Sequence, residues 1–391
     1  MDANATTPLL PEVFEAMRPY WMEHYGNASS IHQQGQQARG AVEQARTAVA
    51  RFLHCLNSEI VFTSGGTESD NLALFGVLSN QAEPAHLITT TVEHHAVLHA
   101  AESLEKNKVE VTFLECTPQG IIEPAALKAA LRPNTKLVSI MFANNETGVI
   151  QPIAELAAIA HEAGALFHTD AVQASGKLPL DLSADGPLKH VDLLTLSGHK
   201  LYAPKGIGVL FVRRNVRLTP MLHGGTHERQ RRAGTENVAA IVGLGKAAEL
   251  ATTWLSTEAP AALTALRDRF EQTILTQIED TGVNGDSAPR VSNTSNLYFD
   301  HLEAEALVIA LDLKGLSVSG GSACQSGAAE PSHVLTAMGL APARARASIR
   351  FSLSRLTTAE EIDEALKIIP TAVARLRELS PAYQRREPQT V

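Results

Sequence analysis

From about residue 60 to residue 215 one unit recurs, and it leaves few folds open. A short apolar, β-branched run ends in a polar cluster, and an amphipathic segment usually follows. "EIVFT" runs into "SGGTESDNLALFG", "HLITT" into "VEHHAVLHAAESLE", "KLVSIMFA" into "NNETGVIQPIAELAAIAHEAG", and "ALFHTD" into "AVQASGK". Strands alternating with helices predict an α/β fold: a mostly parallel sheet flanked by helices on both faces. In such sheets ligands bind beyond the carboxyl ends of the strands, which is where the polar clusters fall. The pattern changes after about residue 240. "IVGLGKAAELATTWLSTEAPAALTALRDRFEQTILTQI" reads as helix broken or kinked near Pro260, "SNTSNLYFD" and "SIRFSLS" as strands, and "TTAEEIDEALKII" as a helix with Thr358 and Glu361 spaced as a capping box. The expected division is a large α/β domain over 12–255 and a smaller α+β domain over 256–391, with segment 1–11 belonging to the latter.

Composition removes several classes of function. The 391 residues are 44% apolar and 19% charged, ordinary globular proportions with material for a large core. A formal net charge of -9 makes nucleic acid and anionic membranes poor partners. No segment reads as apolar for long enough to span a bilayer. The opening "MDANATTPLLPEV" has neither a basic start nor an apolar signal core, which predicts a cytoplasmic protein. Cys55, Cys116 and Cys324 are odd in number, far apart and free of CxxC spacing, against both a disulfide framework and a cysteine-built metal site.

The polar clusters carry the candidate chemistry. In "VDLLTLSGHKLYAPKGIGVLFVRR", Lys200 stands where two apolar runs meet. It could be a surface lysine at a turn, an anion ligand, or a desolvated amine that forms a Schiff base; the apolar flanks favour the last two. Asp170 ends the run "FHTD", so it should share the sheet edge with Lys200. A buried carboxylate there needs a cation: an arginine, a helix N-terminus, or a protonated pyridine nitrogen. Gly65 and Gly66 let backbone approach closely before Thr67 opens a helix, an arrangement suited to phosphate. The chain has neither a GxGxxG nor a GxxxxGK[ST] motif, which points away from NAD and ATP. His95 and His99 have the i,i+4 spacing of a zinc clamp, but no third ligand is evident and no metal is expected. His94, first after its strand, could lie flat on an aromatic cofactor. Asn144 and Asn145 could satisfy a turn or bind cofactor or substrate. The basic stretch holding Arg229, Arg231 and Arg232 lacks interleaved aromatics, so it reads as a phosphate-gathering loop or an interface rather than a nucleic-acid site. Arg350, inside a strand pattern, is either a surface residue or a clamp for a substrate carboxylate. Cys324 sits in "SGGSACQSGAAEPSH", too rich in Gly, Ser and Ala to pack a core. A thiol in such a loop is an oxidation liability unless used, so it reads as functional. Pro331 suits the first turn of the next helix. Cys55 and Cys116 read as small buried side chains.

Together these clusters resemble the cysteine desulfurases of the class-V aminotransferase, pyridoxal-phosphate fold type I group. The resemblance rests on "NATTP", "FTSGGTESDN", "VEHHAVL", "ANNETGV", "HTDAVQASGK", "SGHKLYAPKGIG", "RRAGTEN", "SACQSGAAEPSHVL" and "SIRFSLSR", in that order over nearly the whole chain. The long "SACQSGAAEPSH" loop is similar to the members with an extended catalytic loop, used in iron–sulfur cluster assembly. The resemblance implies pyridoxal 5'-phosphate as cofactor, L-cysteine as substrate, a homodimer, and a persulfide passed to an acceptor protein, either an iron–sulfur scaffold or a thiolation carrier. It implies that Lys200 forms the Schiff base and shuttles protons, Asp170 pairs with the ring nitrogen, Gln173 reaches the ring hydroxyl and His94 stacks on the ring. Gly66, Thr67, Ser197 and His199 would hold the phosphate, with Thr235 from the other subunit. Asn145 and Arg350 would hold the substrate carboxylate, and Cys324 would accept the sulfur. A selenocysteine lyase, an aminotransferase of the same superfamily, or a scaffold with a relict cofactor fold are the alternatives; the intact set of Lys200, Asp170, His94 and Cys324 argues against a scaffold. Relatives usually carry a short apolar strand before the Asp of "MDANATTP", and its lack here is expected to weaken an edge strand of the small domain without touching the chemistry.

Overall fold

The computed structural model describes residues 1–79, 84–320, 331–380 and 383. Among them seven strands form one sheet: β1 (Ile60–Thr63), β2 (His86–Thr90), β3 (Glu110–Leu114), β4 (Thr135–Ser139), β5 (Leu166–Asp170), β6 (Leu193–Ser197) and β7 (Gly208–Val212). The order is β1-β7-β6-β5-β4-β2-β3. Pairing is parallel from β6 through β3, while β7 lies antiparallel to both of its neighbours. Every residue of β1, β2, β6 and β7 is buried, as a sheet covered on both faces requires. β1 and β3 are the edge strands, and Glu110 of β3, exposed and paired with Arg132 at 2.6 Å, is the kind of charge that discourages edge-to-edge association.

A second sheet joins β8 (Thr281–Val283), β9 (Thr294–Phe299), β10 (Ser319–Gly320) and β11 (Ser348–Ser352) in the order β10-β11-β9-β8, with every pairing antiparallel. Its own core gathers Phe270, Phe299 and Phe351 with Leu307 and Ile362. The helices Val238–Leu255 and Ala259–Gln277 are separate, with Pro260 in the first turn of the second, as Pro260 led us to expect. Thr358 and Glu361 form the expected capping box on the helix Ala359–Leu379. Pro331 departs from expectation: Ser332 caps the helix His333–Ala337, so Pro331 precedes the cap instead of filling the first turn. "AVQASGK" also differs, folding into turns after β5 rather than an amphipathic helix.

One helix corrects the sequence reading. Val238–Leu255 is long and apolar enough, by length and composition alone, to cross a membrane. Val, Ile and Leu carry most of its apolarity, and the small residues between them let it pack closely. A Cβ on Gly245 would lie 2.7 Å from Ala45 Cα, so glycine is what allows this helix to press against Gln33–Phe52. More than half of it is buried inside the protein, as a core helix of this length would be.

A buried ion pair ties the turn at 227–230 to β1. Arg46 donates to Glu228 through Nη1 at 2.9 Å and Nη2 at 2.8 Å and to the Ile60 carbonyl at 2.9 Å, while the Phe62 N–H donates to Glu228 at 3.0 Å. Glu228→Gln removes the buried counter-charge and leaves the guanidinium only the more exposed Glu43, at 3.1 Å from Nε. We expect a loss of about 3 kcal/mol in unfolding free energy, measured by chemical denaturation. A loss under about 1 kcal/mol would mean the pair is dispensable.

Candidate active site

β2, β4, β5 and β6 run in one direction, and β1 shares it because β7 lies antiparallel between β1 and β6. Their carboxyl ends therefore meet at one edge of the sheet. The chain leaves that edge at Gly66, His94, Asn145, Asp170 and Ser197, and all five line one cavity of about 270 Å³ together with Asn4, Thr67, Asp70, Gln173, His199, Lys200 and Arg350.

Lys200 reaches the cavity from the short turn Gly198–Lys200 that ends β6. A Cβ at Gly198 would sit 2.7 Å from Ile207 Cγ2 and 3.0 Å from the Pro204 carbonyl, so only glycine lets the turn fold back against β7. The Lys200 amine donates to the carbonyls of Asn4 and of Ala5, the latter at 2.7 Å. Burial pushes its pKa down to about 8; Arg350 pushes the same way, and Asp2 and Asp170 oppose.

Asp170, buried at the end of β5, accepts from the Val172 N–H at 2.8 Å. Burial raises its carboxyl to about 6, and the Val172 N–H and the Lys200 charge restrain the rise. Two more buried carboxyls lie nearby. Burial, then Asp170, drives Asp70 well up, and burial, with Asp170 also raising it, brings Glu93 to about 8. Of the three carboxyls, Asp170 is the one whose charged form Lys200 favours. His94 caps the helix His95–Lys106, its Nδ1 accepting from the Ala96 N–H at 3.2 Å. Burial, then His95 and Lys200, lower it to about 4, so the ring is neutral with its proton on Nε2. Burial and Lys200 likewise lower His199 to about 4.

No side chain caps the helix Gly66–Leu78, which leaves its first-turn N–H groups open toward an anion. A Cβ on Gly66 would stand 3.4 Å from Ser197 Cβ, so these two residues adjoin at that end. On the other wall, Arg350 of β11 donates from Nη1 to the Asn145 carbonyl at 3.0 Å and from Nη2 to Asp2 Oδ1 at 2.9 Å. Its Nε is buried without a partner, as is Asn145 Oδ1.

Some expected residues fall elsewhere. Asn144 takes the turn role, its Oδ1 accepting from the Glu146 and Thr147 N–H groups and its amide donating to the Val92 carbonyl. Thr235 is exposed and outside the cavity of its own chain. Arg232 pairs with Glu68 at 2.8 Å and Arg231 donates to the Ser58 carbonyl at 3.1 Å, and neither they nor Arg229 line the cavity of their own chain. His99 and His333 stand 5.0 and 4.8 Å from the His95 ring, and among the described residues no group of three His, Cys, Asp or Glu is placed to hold a metal. Burial pushes Cys55 up to about 12 and Cys116 up to about 11. Cys324 lies outside the described residues. Of its neighbours, Ser319 pairs with Arg350, Ser332 donates to Glu146 at 2.6 Å, and His333 Nε2 meets the Glu93 carbonyl at 2.9 Å.

The sequence reading missed the centre of the polar network. Asn4 accepts through its carbonyl from Lys200 and, at 3.1 Å, from Gln173 Nε2; its Oδ1 accepts from Lys177 at 3.1 Å and Asn293 at 3.0 Å; its amide donates to Thr294 at 2.9 Å. Gln173 Oε1 accepts from Lys177 at 2.7 Å. Burial, then Lys200 and Arg350, hold the Lys177 amine well below its ordinary range. Segment 1–11 was expected only to belong with the smaller domain, and no role at the site was assigned to Asp2, Asn4 or Ala5. Its Asp2, Asn4 and Ala5 instead contact Arg350 and Lys200 directly, because β11 and the turn after β6 both open toward it.

The chain is similar to known proteins over nearly its whole length. Residues 1–365 match the aminotransferase class-V family. A cysteine desulfurase of Trichormus azollae is 52% identical over 381 residues, 97% of this chain and 94% of that protein. The solved structure of a NifS-like protein superposes with a TM-score of 0.88 at 35% identity, covering 96% of this chain and 99% of that one. Another, SspA in complex with cysteine, gives a TM-score of 0.80 at 37% identity over 91% and 99% of the two chains.

Proposed function

Since the chain belongs to the class-V aminotransferases and, with its relatives there, is a cysteine desulfurase, we propose that the cavity beside Lys200 is where it works, with pyridoxal phosphate as cofactor. The observation that carries this reading is a lysine amine loosened to about 8 in one cavity with a charged, buried Asp170 and a half-buried Arg350. The residues present fit the group. The helix at Gly66 has no side-chain cap for its N–H groups, and Arg350 Nε and Asn145 Oδ1 are buried without partners. Gly66, Thr67, Ser197 and His199 would hold the phosphate, Asp170 the ring nitrogen, Gln173 the ring hydroxyl, His94 the ring face and Lys200 the aldehyde carbon. When bound, the cofactor supplies an electron sink for the charge left as the substrate loses its α-proton.

The chain's own residues do the rest. Lys200, whose amine lines the cavity, would carry the α-proton. Arg350 and Asn145 hold the L-cysteine carboxylate. The Cys324 thiolate attacks the substrate sulfur; an S–S bond forms as the substrate C–S bond breaks, and the electron pair returns to carbon, which gains a proton. L-Alanine leaves, and Cys324 keeps a persulfide for an acceptor protein. Thr235 acts on the phosphate from a second copy of the chain.

The loaded protein, given L-cysteine without reductant, is expected to yield one alanine and one persulfide per chain before turnover stalls. Cysteine consumed with no alanine formed would refute the reading. Asp170→Ala tests the cofactor assignment separately. Losing the carboxylate assigned to the ring nitrogen should weaken pyridoxal phosphate binding by on the order of 10²- to 10³-fold in equilibrium dialysis. Unchanged affinity would remove Asp170 from the set.

A further inference from the structure

Asp2 has no part in the reaction as described above, yet it touches a residue that does. Arg350 is a flexible side chain, and fixing a guanidinium for a carboxylate costs rotamer freedom unless something else has fixed it first. Two of its three nitrogens are already engaged: Nη1 with the Asn145 carbonyl at 3.0 Å and Nη2 with Asp2 Oδ1 at 2.9 Å. The third, Nε, is buried without an acceptor. A buried donor with no partner is unfavourable until something arrives to accept from it.

Asp2 is itself held from several sides. Its Oδ1 also accepts from Ser319 Oγ at 2.9 Å, and Ser319 pairs with Arg350 across β10 and β11. Its backbone bridges to Ser352, with the Ala3 N–H on the Ser352 carbonyl at 3.0 Å and the Ser352 N–H on the Met1 carbonyl at 2.9 Å. A carboxylate that merely filled the substrate's place would have to swing away; this one is braced by a strand on one side and a hydroxyl on another.

We infer that Asp2 is a positioning residue that presets the Arg350 guanidinium, leaving Nε as the donor for the α-carboxylate of the substrate. This rests on the assignment of Arg350 as the carboxylate clamp. It makes the first residues of the chain part of substrate selection: they favour ligands that carry a carboxylate and give nothing to amines that lack one.

The test uses the cofactor-loaded protein and two ligands, L-alanine, which carries the substrate's carboxylate, and cysteamine, which does not. Binding of each is read from the change in the visible spectrum. Asp2→Ala and the size-matched Asp2→Asn are expected to weaken L-alanine about tenfold and to leave cysteamine within about twofold. In turnover, KM for L-cysteine should rise by a similar factor while kcat changes little; tenfold corresponds to about 1.4 kcal/mol. Tighter L-alanine binding in either variant would overturn the inference, because it would mean Asp2 competes with the substrate through like charge. Equal weakening of both ligands would also overturn it, as the mark of a general structural role. Arg350→Ala separates the premise from the inference. If that variant binds L-alanine normally, the clamp assignment fails; if it loses L-alanine while both Asp2 variants keep it, only the role of Asp2 fails.

Discussion

Lys200→Ala should lose alanine formation from L-cysteine by on the order of 10⁴-fold or more, since one side chain supplies both the anchoring amine and the proton carrier. Borohydride followed by mass spectrometry should mark the wild-type chain at Lys200 and leave the variant unmarked. The titration of the same amine gives a second, signed readout. In water a lysine amine is uncharged in only a few of ten thousand molecules at pH 7, given a pKa of roughly 10.4. At a pKa of about 8 the uncharged share is roughly one in ten. Capture of added pyridoxal phosphate by the cofactor-free protein should therefore climb about tenfold per pH unit between about 6 and 8 and level off above. The cause is burial first and Arg350 second, so Arg350→Ala should move the plateau to higher pH. A rate that keeps climbing to pH 10 would show an ordinary surface amine and sink the assignment.

Cys324→Ser is expected to abolish persulfide formation, by at least about a thousandfold, while the protein still takes up cofactor with its usual colour. The argument comes from the other two thiols. Attack on sulfur needs a thiolate, and burial holds Cys55 at about 12 and Cys116 at about 11, so both stay protonated across the physiological range. Neither lines the cavity. Cys324 is the third of three cysteines in the chain, and the residues flanking its segment, Ser319 and His333, are bonded to residues of the site. Cys55→Ala and Cys116→Ala serve as controls and should keep persulfide formation. Full sulfur transfer by the Cys324 variant would place the nucleophile elsewhere.

What the sequence disclosed and what it withheld divide along a physical line. β1, β2, β4 and β5 were legible because a strand covered on both faces is a largely apolar run, and its carboxyl end is marked by polar residues. Lys200, Asp170 and His94 stood out for the same reason: each is a charged or polar group placed at the end of such a run. β3 escaped notice because its half-exposed "EVTFL" carries no such run. The helix Val238–Leu255 was legible as a helix, but no local pattern showed that Gly245 lies where it presses against Ala45. Asn4, Lys177 and Asp2 could not be found by any local pattern. Their partners lie far away in sequence: Lys200 bonds Asn4 from 196 positions off, Lys177 from 173, and Arg350 bonds Asp2 from 348. "NATTP" contributed to the family resemblance, but nothing in those letters says that the asparagine carbonyl would meet a catalytic amine.

The tie between Asp2 and β11 has a consequence for how the molecule comes into being. A ribosome releases the first residues long before it makes Arg350 and Ser352, an interval of roughly 20–70 s at ordinary elongation rates. The nascent amino end has no β11 to join until then, and Lys200 meets Asn4 in the meantime without the wall that Arg350 provides. A chain cut short before β11 is thus left with a half-built chamber, and a competent one arises only near the close of translation. Retention of a carboxylate-bearing ligand, which draws on Arg350, should accordingly report on whether β11 has been made.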